Sequence, residues 1–179
     1  MGGINSSLLE AHVACYPDGE EIGETVMGHG EVNFDTAVSD KKMSFGMIVR
    51  DLDGFVLGGG IIEIDTQVEW AELKAFKESI LFAINRKFGD VLFETDNVSM
   101  VNRIKKKRDK DITILGHQIN EVYKLLKGLN VAKICWAKRC CNRTTDFICK
   151  DALTENYNLI FDVDYPADIH DLILNDSIN

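Results

Sequence analysis

The stretch Glu31-Val32-Asn33-Phe34-Asp35-Thr36-Ala37 constrains everything around it. Val32 and Phe34 alternate with Asn33 and Asp35, the period-two pattern of a half-buried strand, and small residues follow where the chain must turn. Asp35 therefore stands at the end of a strand with a buried face. A carboxylate in such a place is costly to ionise unless a cation lies beside it. No Lys or Arg falls within five residues, which leaves a distant basic side chain or a metal ion. Three other acids, Glu72, Asp96 and Asp146, stand at the start or end of apolar elements further along.

The flanking patterns set the fold class. Residues 1–30 carry Pro17, Gly19, Gly23, Gly28 and Gly30 with little periodicity and read as a loosely structured leader. A polar turn over residues 38–42 leads to a second strand, residues 44–50, and then to Asp51-Leu52-Asp53-Gly54, a strong hairpin signal. The third strand is interrupted by Gly58-Gly59-Gly60, which marks a bulge or a close backbone approach. From Trp70 the period changes to helical, with Leu73, Phe76, Ile80 and Ile84 on one face. Val91-Leu92-Phe93 is a wholly apolar run of the kind found in a central strand. Asn97 caps a helix to about residue 107, and a second helix carries Leu115, Ile119, Val122 and Leu126. A fifth strand covers residues 131–138. Thr144 or Thr145 then caps a helix burying Phe147, Ile148, Ala152 and Leu153.

The order β-β-β-α-β-α-α-β-α predicts an α/β domain over residues 31–158, a mixed five-stranded sheet with helices on its faces. Residues 159–179 hold Asp162, Asp164, Asp168, Asp171 and Asp176 without a Lys or Arg and read as an acidic tail, suited to a protein partner or to masking a basic surface.

A chain of 179 residues, 45% hydrophobic and 27% charged, fits one globular domain. Its five cysteines, Cys15, Cys135, Cys140, Cys141 and Cys149, are odd in number and lack a CxxC pair, which predicts reduced thiols in the nucleus or cytoplasm. A zinc site from Cys140, Cys141 and His117 is disfavoured, because adjacent cysteines lack ligand spacing. No apolar run approaches the roughly 20 residues a membrane span needs. Met1-Gly2-Gly3-Ile4-Asn5-Ser6 fits a loose myristoylation pattern, but no polybasic segment follows, so a plain terminus is expected. The net charge of −9 argues against a general nucleic-acid coat yet permits a local basic surface. Lys105, Lys106, Lys107, Arg108 and Lys110 provide one, or else complement the dipole at a helix end.

Carboxylates converging from several elements are what a two-Mg²⁺ phosphoryl-transfer site requires. Acids at helix starts are also ordinary caps, and this chain has 29 acids. The series "VNFDTA", "GMIVRDLDG", "AELKAF", "FETDNVSMV" and "RCCNRTTDFICKDAL" resembles the plant ribonuclease-H-like domain family, related to type 1 ribonucleases H. It runs in order over about residues 32–153.

The resemblance implies a ribonuclease H fold and two Mg²⁺ or Mn²⁺ ions held by Asp35, Glu72, Asp96 and Asp146. Asp35 would bridge both ions, Glu72 and Asp96 would serve one, and Asp146 the other. It also implies Arg139 and Asn142 at the nucleic acid, and cleavage of the RNA strand of an RNA–DNA hybrid to a 3′-hydroxyl and a 5′-phosphate. The sequence departs from the pattern at Thr36, where the family has Gly, at Thr145, where it has Ala, and in lacking a His over residues 139–145. Those departures keep open a non-cleaving module that binds nucleic acid or protein; the fold also admits a 3′-to-5′ exonuclease.

Overall fold

The computed structural model describes residues 28–39, 42–64, 70–106, 112–155 and 158–176. The alternating run becomes the centre of a sheet. β1 (His29–Ser39), β2 (Lys42–Arg50) and β3 (Val56–Ile64) form an antiparallel meander. The β2–β3 turn closes as Asp51 Oδ1 accepts from the amides of Asp53 and Phe55, with Gly54 at φ 83°, where glycine is favoured. After α1 (Ala71–Asn85), β4 (Asp90–Thr95) returns parallel to β1. Then come α2 (Val98–Lys105), α3 (Ile114–Leu126) and β5 (Val131–Trp136), which runs parallel to β4. The chain closes with α4 (Arg143–Glu155), β6 (Leu159–Phe161) and α5 (His170–Asp176).

The sheet order is β5-β4-β1-β2-β3-β6, so the sheet has six strands and not the five expected. The sixth comes from the segment that reads as an acidic tail and pairs antiparallel with β3. The glycine run explains it: a Cβ on Gly59 would stand 2.6 Å from the Phe161 ring, so that aromatic side chain seats where only glycine leaves room. The pairing also covers an otherwise open sheet edge. Two other expectations shift. β1 begins at His29, inside the region read as leader, whose residues 1–27 lie outside the described residues. Phe147 is 41% exposed while Cys149 is buried, because Ile148, Cys149 and Ala152 share the α4 face that meets the sheet.

Each face of the sheet carries its own core. Val32, Phe34, Phe45 and Met47 pack with Phe76 and Ile80 of α1 and Ile119 and Val122 of α3. Phe76 stacks on Phe34 at 5.4 Å between centroids and meets Phe93 edge-on at 5.2 Å. On the other face Ile48 and Ile61 pack with Ile148 and Ala152 of α4, Phe161 of β6 and Ile173 of α5. No helix among the described residues is long and apolar enough to cross a membrane.

Candidate active site

The ladder between β1 and β4 ends at Asn33–Glu94, while pairing with β2 continues to Ser39–Lys42. Asp35 lies just beyond the last β4 contact, 5% exposed, rather than at the end of its strand. Its partner on β2 is Gly46. A Cβ there would stand 2.7 Å from Ile148 and 2.9 Å from Cys149, so the glycine lets α4 lie close against the sheet opposite Asp35. The Cys149 thiol donates to the Asp35 carbonyl at 3.1 Å, and Ser44 donates to the Cys149 carbonyl at 2.6 Å. Asp146, in the first turn of α4, is thereby carried to the same end of β1.

Glu72 arrives in the first turn of α1 and Asp96 directly after β4. The Trp136 indole donates to the Asp96 carbonyl at 3.1 Å, and Asn97 caps α2 by accepting from the Met100 amide at 2.9 Å. The four acids lie in one electrostatic field. Burial, then the charges of Asp96, Glu72 and Asp146, push the Asp35 carboxyl up to about 7, against the pull of the Thr36 amide. Burial also raises Glu72, with Asp96 adding to it and hydrogen bonds from Thr36 and Asn97 opposing.

Thr36, which stands where the family pattern has Gly, is bonded to two of the acids. Its amide donates to Asp35 Oδ1 at 2.8 Å and its hydroxyl to Glu72 Oε1 at 2.7 Å. Glu72 Oε2 is buried without a partner. Cations close the other side. Arg139 Nη2 donates to Asp146 Oδ1 at 3.3 Å and its Nε lies 3.8 Å from Asp96, while Lys150 donates to Asp146 Oδ2 at 2.6 Å. Among the described residues no three His, Cys, Asp or Glu side chains are grouped to hold a metal ion. The donor chemistry nevertheless fits a hard divalent cation: the acids are all oxygen ligands, and one has an unpartnered buried oxygen.

Asn142 is buried, donates to the Phe34 carbonyl at 3.2 Å and accepts from Thr145, so it ties the start of α4 to the residue before Asp35. Lys105 ends α2 and Lys106 caps it, whereas Lys107, Arg108 and Lys110 lie outside the described residues. A helix of α2's length puts Lys105 about 12 Å from the Asp96 end.

Sequence patterns missed a buried polar set beside the site. Arg50, 4% exposed, donates to Asn33, which donates to Glu94 at 2.9 Å, and Arg50 lies 3.9 Å from both Glu31 and Asp176. Burial, then the charge of Glu31, pushes Glu94 up to about 7. The alternation of Glu31 and Asn33 with Val32 and Phe34 was the available signal, since a strand covered on both faces must bury that second set.

The family model for reverse transcriptase-like domains matches residues 33–152, from the strand bearing Asp35 through most of α4. The chain belongs to the reverse transcriptase-like family. Solved structures agree on the fold of this reverse transcriptase-like chain. The RNase H1 of the halophilic archaeon Halobacterium salinarum NRC-1 is 21% identical with a TM-score of 0.65, covering 72% of this chain and 99% of that one. The N-terminal RNase H domain of a Mycobacterium tuberculosis protein is 16% identical with a TM-score of 0.60, covering 71% and 94%. LC11-RNase H1, solved in complex with an RNA/DNA hybrid, is 13% identical with a TM-score of 0.61, covering 71% and 98%. No curated protein sequence matches the chain.

Proposed function

We propose that this chain, of the plant type within its family, is a divalent-metal-dependent endoribonuclease that cuts the RNA strand of RNA–DNA hybrids. The observation that carries the reading is Asp35, pushed up to about 7 with help from three acids on three other elements. Nothing in the packing requires three further acids from separate parts of the chain to crowd one buried carboxyl, and a shared cation would relieve the repulsion. The solved hybrid complex of LC11-RNase H1, which shares the fold, supports the choice of nucleic acid.

Asp35, Glu72, Asp96 and Asp146 would together hold two Mg²⁺ or Mn²⁺ ions. A divalent ion supplies the Lewis acidity that activates water and offsets charge on the leaving oxygen. Thr36 steadies Asp35 through its amide and Glu72 through its hydroxyl. Arg139, 72% exposed in its side chain, offers a planar guanidinium to a phosphate oxygen. Lys105 and Lys106, with the sequence neighbours Lys107, Arg108 and Lys110, supply backbone contacts that read no sequence. RNA would be told from DNA by its 2′-hydroxyls across the minor groove.

A second reading, a non-cleaving nucleic-acid-binding module, draws on Arg139 lying across Asp96 and Asp146 and on Thr36 occupying one Glu72 oxygen. One experiment separates the two. Labelled RNA–DNA hybrid, RNA duplex and single strands are incubated with Mg²⁺ or Mn²⁺, alongside Asp35→Asn and Asp96→Asn. The enzyme reading expects internal cuts in the hybrid RNA, lost in both variants. Binding without cutting favours the module, and end-shortening ladders favour an exonuclease.

A further inference from the structure

Residues 139–141 form a single 3-10 turn between β5 and α4, and two of them are adjacent cysteines. Cys140 Sγ and Cys141 Sγ lie 3.7 Å apart, Cys140 exposed and Cys141 half-buried. Cys135 and Cys149 are buried, so among the described residues this pair is what a dissolved oxidant meets first. The turn is clamped at both ends. Arg139 reaches Asp96 and Asp146, and Asn142 holds the Phe34 carbonyl. Between them run the bonds from the Cys141 amide to the Lys138 carbonyl at 2.8 Å and from the Asn142 amide to the Arg139 carbonyl at 3.3 Å.

We infer that Cys140 and Cys141 form a reversible dithiol–disulfide site, oxidised by hydrogen peroxide, that governs where Arg139 sits. The chemistry rests on the cysteine geometry alone; only its consequence for a hybrid rests on the proposed function. The Cys140 thiolate attacks a peroxide oxygen, the O–O bond breaks, and one water leaves after protonation, giving a sulfenic acid. The Cys141 sulfur then attacks Cys140 Sγ, the S–S bond forms, the S–O bond breaks, and a second water departs. Two thiols lose two electrons and two protons while the peroxide becomes two waters.

Closing the bond draws the sulfurs together by about 1.7 Å, from 3.7 Å to the ordinary S–S length of about 2.0 Å. Neighbouring Cα atoms lie about 3.8 Å apart, below the roughly 4.4–6.8 Å of a relaxed disulfide, so the ring is strained and readily reduced. That makes it a switch and not a staple. The peptide between the two cysteines must turn to close the ring, and its N–H is the donor of the 2.8 Å bond to Lys138. Losing that bond loosens the turn and carries Arg139 away from the acids and from a phosphate bound beside them.

The test treats the full chain, with Cys15→Ser as background, with hydrogen peroxide and then dithiothreitol. Peptide mass mapping should find two hydrogens lost within residues 140–143 and regained on reduction. The oxidised chain should melt about 2–4 °C lower than the reduced one. Its hybrid binding should show a salt slope smaller by about one phosphate contact. Cys140→Ser/Cys141→Ser should show neither change. Sulfinic acid on Cys140 alone, disulfide-linked dimers, or a mapped bond with unaltered melting would overturn the inference. A mapped, reversible bond in a chain that cuts no hybrid in either state would leave this site standing and refute the nuclease.

Discussion

Asp35 is the residue whose environment has the most direct solution signature. Its folded-state pKa of about 7 lies above the ordinary 3.8, so the native chain holds that proton more tightly than the unfolded chain. The stability gained is complete below about pH 4 and is lost as pH rises through 7. At about 1.4 kcal/mol per unit of pKa, the loss is on the order of 4 kcal/mol at most. The metal-free protein should therefore melt higher at pH 5 than at pH 8, and Asp35→Asn should remove part of that slope. Glu94, also held at about 7, and Glu72 and Glu31, raised in the same direction, account for the remainder. Melting curves at half-unit pH steps check this; an identical slope in Asp35→Asn would contradict the shared field. Thr36 shows how one residue serves two acids, with its amide on Asp35 and its hydroxyl on Glu72.

At the scale of elements, α4 matters most because it brings Asp146 in from the far face. Its approach depends on a missing side chain at Gly46, and its first turn is held from outside the helix. Asp176 accepts from the Thr144 amide at 2.8 Å and the Thr144 hydroxyl at 2.6 Å, so the cap comes from α5, not from the Thr144 or Thr145 side chain as the sequence suggested. Gly46→Ala puts a methyl 2.7 Å from Ile148 and should cost about 1–3 kcal/mol, with α4 displaced outward. Denaturant unfolding measures the loss. Because Asp146 moves with the helix, any Mg²⁺-induced rise in melting temperature should shrink in the same variant. Full stability in Gly46→Ala would mean that α4 does not lie where its contacts put it.

For the whole molecule, the decisive fact is that the acidic end of the chain is built into the sheet. Asp162 pairs with Arg86 and Asp176 with the α4 start, while β6 closes the edge farthest from β5, the strand that α2 packs on. β6 thus lies at the opposite edge of the sheet from the strand nearest Lys105. Phe161, Ile169 and Ile173 are buried, and each such side chain contributes about 1.5–3 kcal/mol. Their joint loss is comparable to the roughly 5–15 kcal/mol that holds a typical domain. A chain ending at residue 158 should lose cooperative melting in calorimetry; a transition near that of the full chain would return the segment to the role of a detachable tail.

What the sequence determined by itself was local: the period-two runs, the switch to helical period after Trp70, the Asp53-Gly54 turn and the Asn97 cap. Those features were legible because each depends on residues within a few positions of one another. The candidate site was legible as four separate acids, and the family motifs indicated that they belong together. Only the tertiary structure decided how they meet. The glycine facing Asp35, the threonine bonded to Glu72 36 residues away, the cysteine bonded to the Asp35 backbone 114 residues away and the phenylalanine seated on Gly59 are pairings across the fold. Such pairings leave no periodic trace, because which residues face each other is fixed by packing between elements and not by spacing along the chain.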